Sequence, residues 1–489
     1  MKKNISFHAI LEAAKKKYEQ ALENLGLTED TPSETPKDEK TTAEWYMNAA
    51  LDGDADAQYN LGLLYRKGEG VPQSMSEALR WLQRAARQGD ARAKYMVGLI
   101  YAKGEGVSRN DKKAVLWYRA AAEDGLAEAQ YGLGLRYMNG RGVPQSLSDA
   151  AVWYLRAAEQ GLAAAQYQYG LMCYKGRGLE KNDSEAAQWF RLSAAQGYMQ
   201  AQYIMGTAYV TGVGVPQNYK VAAEWYLKAA KQGHAESQYN LGLIYAKGFG
   251  VEQNDTEAAK WFHSAAEQGL TAAQSDLGMM YEYGRGVVQS DKEALHWFLS
   301  AAEQGDAEAQ YNLSVMYDLG RGTEQNETES LRWLRVSAKQ GLPAAQTLLA
   351  ERYAAGTGGV LQSDKTALDW FRLAAAQGDT DAQYNLGLIF GKGKGVKRDD
   401  RESARWFRLA AEGGDTEAQF SLGVMYQEGI GVSKSHEKAL FWLNLAVEKK
   451  PEYAERRDIS ARELTPEQRS AVTKRIAVWQ NIKEGREEY

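Results

Sequence analysis

The side chains of this 489-residue chain with the most chemistry to offer are five histidines, one cysteine and an aspartate-glycine run. His8, His234, His263, His296 and His436 form no H-E-x-x-H or H-x-x-x-H pair, so the spacing that places two zinc ligands on one helix face is missing. Cys173 has no second cysteine to pair with and stands where Tyr65, Tyr101 and Tyr137 stand in register, which predicts a small buried core residue rather than a nucleophile. Asp52-Gly53-Asp54-Ala55-Asp56 opens like a calcium loop. The glycine and glutamate that such a loop needs at its sixth and twelfth positions are, however, Ala57 and Leu63. No G-x-S-x-G elbow or G-x-x-x-x-G-K-[ST] loop occurs, and the most basic glycine run, Gly391 to Arg398, reads as solvated lysines on a turn. The Asn182, Asn254 and Asn326 sequons coincide with expected helix starts. The sequence thus predicts no enzyme, no catalytic set, no cofactor and no metal site.

Composition narrows the class further. A net charge of -5 with no dominating positive block argues against nucleic acid or anionic lipid as a partner. No apolar run approaches the roughly 20 residues that span a bilayer, and Lys15-Lys16-Lys17 arrives before any secretory core can form. Cytoplasmic residence is the default expectation, with signal-independent export left open.

What positions the side chains is a repeat. Trp45, Trp81, Trp117, Trp153, Trp189, Trp225, Trp261, Trp297 and Trp333 fall thirty-six residues apart, and Trp370, Trp406 and Trp442 follow after one inserted residue. Such a period signals a stacked array rather than separate domains. Each unit divides into two helices. The first carries Ala57, Leu61 and Tyr65 on one face beside Gly62, a position otherwise small down the chain, as at Ser314 and Ala350. Glycine there costs about 0.5 to 1 kcal/mol against alanine, so close helix approach is expected to compensate. Glycine pairs such as Gly68 and Gly70 stop the helix. The second helix starts near an acid such as Asp111 or Asp183 and presents Ala78, Trp81, Leu82, Ala85 and Ala86 as a stripe. The tryptophans are expected to be the buried anchors.

The ends differ from the middle. Residues 6 to 25 have the apolar spacing of an amphipathic helix and 31 to 40 that of a linker, so 1–40 is set apart as helix plus linker. That helix has three readings: a cap on the array, a tail, or a pairing helix for another chain. Residues 41–448 form the array, beginning with half a unit around Trp45, and 449–489 the closing helices. Thr465-Pro466-Glu467-Gln468 has the form of a capping box with proline in the first turn.

The pattern A-x-A-Q-Y-x-L-G-x-x-Y-x-x-G-x-G-V, then A-x-x-W-x-x-x-A-A-x-x-G, resembles the Sel-one-like repeat family, longer relatives of tetratricopeptide repeats, over residues 41 to 448. The closing segment through Trp479 looks like that of bacterial members. The resemblance implies an all-α, right-handed α/α superhelix of about eleven helix pairs with capping helices, acting as an adaptor or scaffold for other proteins. Some cysteine-rich members have disulfides within repeats, and Cys173 alone departs from that branch; enzymatic labels from it, such as a hydrolase of cell-wall or lactam-type substrates, gain no support. A secreted or surface-associated effector is the nearer alternative. Neither partner identity nor oligomeric state is readable.

If first helices line an inner wall, positions equivalent to 56, 59, 63, 66 and 67 face a groove. Position 59 makes a row of Tyr59, Tyr95, Tyr131, Tyr167, Tyr203, Tyr239, Tyr311 and Tyr384, suited either to gripping a partner or to packing between repeats. Copies that break the pattern, at Ser275, Tyr283, Leu319, Thr347, Glu351 and Arg352 with an insertion near Gly356, point to specialised recognition or a bend, against a decayed repeat.

Overall fold

A computed structural model describes residues 39–483, which contain helices and no strand. The expected amphipathic helix at 6 to 25 lies outside the described residues. Helix boundaries follow from short polar caps and glycine stops. In the first of two compact units, ending at Asn254, run α1 Glu39–Leu51, α2 Ala55–Lys67, α3 Met75–Arg87, α4 Ala91–Lys103, α5 Asp111–Glu123, α6 Ala127–Asn139, α7 Leu147–Glu159, α8 Ala163–Lys175, α9 Asp183–Ala195, α10 Met199–Thr211, α11 Tyr219–Lys231 and α12 Ala235–Lys247. The second unit begins at Asp255 with α13 Asp255–Glu267, α14 Thr271–Tyr283, α15 Asp291–Glu303, α16 Ala307–Leu319, α17 Glu327–Gln340, α18 Pro343–Ala355, α19 Asp364–Ala376, α20 Thr380–Lys392, α21 Asp400–Gly413, α22 Thr416–Glu428 and α23 His436–Lys449. A 3-10 turn, Pro451–Tyr453, then α24 Ala454–Arg462 and α25 Pro466–Lys483 close it. Even-numbered helices through α22 are the first helices of repeats and odd-numbered ones the second, so each unit is a solenoid of antiparallel pairs. Helix α1 starts slightly before the expected boundary and behaves as a second helix without a first.

The second helices are capped one residue earlier than expected. Asn110, Asn182, Asn326 and Asp399 are the N-caps, their side chains accepting from an amide two or three residues on, while the acids behind them occupy the first turn. Capping is therefore by the residue before the acid, an asparagine at three of these four starts, and the acid contributes through the helix dipole.

Packing within a repeat rests on a different residue from the tryptophan. The full stripe Ala78, Trp81, Leu82, Ala85 and Ala86 is buried in the first repeat, but Trp117, Trp153, Trp189 and Trp225 are only half-buried and Trp45 is exposed. From the second tryptophan onward the residue after it goes inside at every copy, from Leu82 to Leu443, and Tyr154 and Phe298 are fully enclosed. This side chain explains the small position of the first helix. A methyl placed on Gly134 would lie 2.7 Å from the Tyr154 ring, and one on Gly278 equally close to Phe298. The glycine is a seat for a ring. The second glycine of each pair is demanded by the preceding repeat: Gly286, with φ of +69°, lies so close to the Asp255 backbone that any side chain would collide with it.

Repeats are stitched by glutamine. Gln58 donates to the Ala50 carbonyl (3.0 Å) and accepts from the Gln88 amide (2.9 Å). The same relay recurs at Gln130 with Gln160, Gln166 with Gln196, Gln202 with Gln232, Gln274 with Gln304 and Gln310 with Gln340, each at 2.7 or 2.8 Å. Where the first glutamine becomes Lys94 its partner has become Asp124, and the two form an ion pair at 2.5 Å. Gln310 is buried and also bonds the Ala302 carbonyl, so Gln310→Ala strands a buried acceptor and is expected to cost about 1–3 kcal/mol in urea unfolding. Gln340→Ala, at an exposed residue, should cost less.

The closing helices pack on the last pair. Val472 is buried and Trp479 stands edge-on to Trp442 at 6.1 Å. Thr465 and Gln468 form the reciprocal capping box that their spacing predicts, Gln468 N–H to Thr465 Oγ1 at 3.3 Å and Thr465 N–H to Gln468 Oε1 at 2.9 Å.

Candidate functional site

The tyrosine row lies on the first helices, and its rings are half-buried at Tyr59, Tyr95, Tyr131, Tyr167, Tyr203, Tyr239, Tyr311 and Tyr384. One side of most rings meets the buried residue of the same repeat: Tyr95 with Tyr118 at 5.5 Å, Tyr131 with Tyr154 at 5.7 Å, Tyr167 with Phe190 at 5.9 Å, Tyr384 with Phe407 at 5.6 Å. Several also touch the entry of the next first helix. Arg92 lies over Tyr59 at 4.6 Å, Tyr198 beside Tyr167 at 5.1 Å and His234 beside Tyr203 at 4.7 Å. Burial raises the phenol pKa at Tyr59, Tyr95, Tyr131, Tyr167, Tyr311 and Tyr384, to about 12 at Tyr95, so these hydroxyls act as neutral hydrogen-bonding groups. The row therefore packs between repeats, each of its tyrosines half-buried.

The pattern-breaking copies divide. Tyr283 is exposed and Leu319 is 61% exposed, leaving apolar area on the surface. Ser275 and Thr347, which replace row tyrosines, are buried, and their hydroxyls bond the N-cap aspartates Asp306 (3.4 Å) and Asp379 (3.0 Å) of the next first helix. Arg352 is buried too, its guanidinium donating to Ser330 Oγ (2.9 Å) and pairing with Asp318 (3.0 Å). These three are stitches rather than a presented surface, because a short hydroxyl or an inward-turned guanidinium finds its partner on the neighbouring helix. The sequence placed all three among the recognition residues; in the structure each is buried and bonded to a neighbouring segment.

Glu351 remains at the surface beside Asp379 and Asp381. Crowding by the protein, and then the fields of Asp381 and Asp379, raise its carboxyl pKa. Burial raises that of Asp415 as well, whereas Lys450 and Tyr453 hold the Glu417 carboxyl down by hydrogen bonding. A raised carboxyl pKa means the folded state binds the proton more tightly, so this contribution to stability falls as pH rises through the folded pKa. Glu351→Gln is expected to raise the thermal midpoint at neutral pH, with the gain fading as pH falls through the raised folded pKa and absent below about pH 4, where the unfolded carboxyl is itself protonated.

Cys173, His234, His263, His296 and Asp54 have structural roles, and His8 lies outside the described residues. Cys173 is fully buried and its pKa is pushed up to about 11 by burial, which disfavours a thiolate. His234 caps α12, and His263 and His296 stand against Trp297. Asp54 caps α2 by accepting from the Ala57 amide. Among the described residues no three His, Cys, Asp or Glu side chains gather as a metal set, and no helix is long and apolar enough to cross a membrane.

Family comparison decides the class of molecule. The Sel1 repeat model matches eleven consecutive segments: 55–90, 91–126, 127–162, 163–198, 200–234, 235–270, 271–306, 307–342, 343–379, 380–415 and 416–450. The chain belongs to the Sel1 repeat family. Its solenoid is similar to the crystal structure of a protective antigen of uropathogenic Escherichia coli strains displaying an SLR fold, with 35% identity, a TM-score of 0.83 and coverage of 89% of this chain and 94% of that one. A Sel1 repeat protein from Oxalobacter formigenes is 30% identical over 66% of this chain and 97% of its own, with a TM-score of 0.49. A search of curated proteins returned no match. Sel1 repeat proteins generally act as protein-interaction scaffolds, and their fold is typically non-enzymatic. The glutamine relay between Sel1 repeats escaped the sequence reading, although both glutamines recur in it thirty residues apart.

Proposed function

We propose that this chain is a non-enzymatic scaffold that binds a protein partner along the first-helix face, with the tyrosine row as part of the contact. The observation that carries the reading is the half-buried state of the row: tyrosines held by neighbouring aromatics are left partly exposed, and a rigid aromatic with a hydrogen-bonding tip is favoured at interfaces. Rigid rings lose little side-chain entropy on binding. Exposed Tyr174 and Tyr283 extend the same helix face. The His and Cys positions described above have packing or capping roles.

Affinity capture from the source cell tests this. Retention of a specific protein is the expected outcome; a co-purifying small metabolite with no retained protein would count against it. Recovery of intact chain from culture medium without lysis would favour the effector role over a cytoplasmic adaptor.

A further inference from the structure

Between α8, α9 and α10 the first-helix face opens into a cavity of about 370 Å³, with apolar walls that include Phe190, Ala187 and Ile204. Its origin is one truncated residue. Ala208 stands where other repeats place Ile100, Met172 or Met280 inside the core. A buried oxygen, Asp183 Oδ1, has no hydrogen-bond partner there, while Oδ2 of the same carboxylate pairs with Lys181 at 3.2 Å.

Two repeats earlier the chain shows what satisfies such a site. Asp111, in register with Asp183, takes a cation on each oxygen: Arg109 on Oδ2 at 2.8 Å and Arg136 on Oδ1 at 2.5 Å. Arg136 occupies the position of Ala208, and its guanidinium lies 5.3 Å from the centre of the Tyr118 ring, where Phe190 stands in the cavity. Lys175, at the cavity rim, matches Lys103 in the filled copy, so a lysine there is compatible with a guanidinium.

We propose that this cavity takes an arginine side chain from a partner protein segment, its stem along the apolar wall and its guanidinium on Asp183 Oδ1. The inference rests on the interaction reading above and deepens it. A buried carboxylate oxygen strongly favours a charged donor over a neutral one, and guanidinium fits that geometry. Tyr167 and Tyr203 of the row line the same opening, which joins the cavity to the proposed contact face.

The test uses the full chain and two acetylated, amidated pentapeptides, one with arginine at its centre and one with citrulline, titrated by calorimetry or NMR. The arginine peptide is expected to bind, with citrulline weaker by about tenfold or more. Asp183→Asn should weaken arginine binding by a similar factor. Ala208→Arg should abolish it and raise the thermal midpoint, since the chain then fills its own site; Ala208→Met should abolish it by filling the space alone. Equal binding of the two peptides, no binding at millimolar peptide, or free arginine amide binding as tightly as the peptide would overturn the proposal. A native protein retained equally by wild type and Ala208→Arg would also overturn it and leave the scaffold reading standing. Peptide binding with no protein retained from the source cell would instead sink the scaffold reading, and with it the assignment to a partner segment.

Discussion

Phe298→Ala is expected to destabilise the second unit by about 3–5 kcal/mol, more than Trp261→Ala one repeat before it. Phe298 is fully enclosed, and its ring covers Gly278, a position with no side chain of its own to collapse into the space. The hole therefore stays open, and cavity cost adds to lost transfer energy. Trp261 is only half-buried, so its truncation removes less from the interior. Urea unfolding followed by circular dichroism checks the order, and a larger loss for Trp261→Ala would contradict it. In a repeat array the loss should appear as early melting of the surrounding repeats, because each repeat contacts only its neighbours.

Tyr131→Ala combined with Tyr167→Ala is expected to lower partner affinity by about thirtyfold or more, the effect of losing at least one hot-spot contact of about 2 kcal/mol. These two sit on adjacent repeats, and each is supported from beneath, Tyr131 by Tyr154 and Tyr167 by Phe190. Some stability must also be lost, since the rings cover that core. The control is Trp153→Ala, on a second helix: an effect on affinity confined to the tyrosine variant marks the row as contact. Parallel losses of affinity and stability in both would reduce the tyrosines to packing residues.

Much of this architecture was legible because period and punctuation are local properties. Tryptophans thirty-six apart, glycine stops and the Thr465 capping box each follow from neighbouring residues alone, and the structure has all three. Which of two adjacent apolar residues points inward was not legible. Tryptophan and the residue after it both satisfy the helical stripe, and only the position of the partner helix, with its glycine seat, selects Tyr154 over Trp153. Caps slipped by one residue for a related reason, since Asn182 and Asp183 are both good N-terminal residues and backbone geometry decides between them.

Site residues were harder still, because their roles depend on contacts between repeats. Ser275, Thr347 and Arg352 looked like departures that free a surface, yet each bonds a side chain of a neighbouring helix and is buried. The Lys94 and Asp124 replacement carried a legible signal, two changes thirty residues apart restoring one contact, and that kind of pairing would have revealed the glutamine relay. Ala208 carried one as well: a small residue in a column of large ones, facing an aspartate.

The most direct test of the scaffold reading is position-specific photocrosslinking in the source cell. A benzophenone side chain would be placed at Tyr131 or Tyr167 on the first helices, and at exposed Leu116 or Val152 on second helices. Crosslinks to one protein are expected from 131 and 167 and none to it from 116 and 152. Capture of that protein from 116 and 152 alone would contradict it.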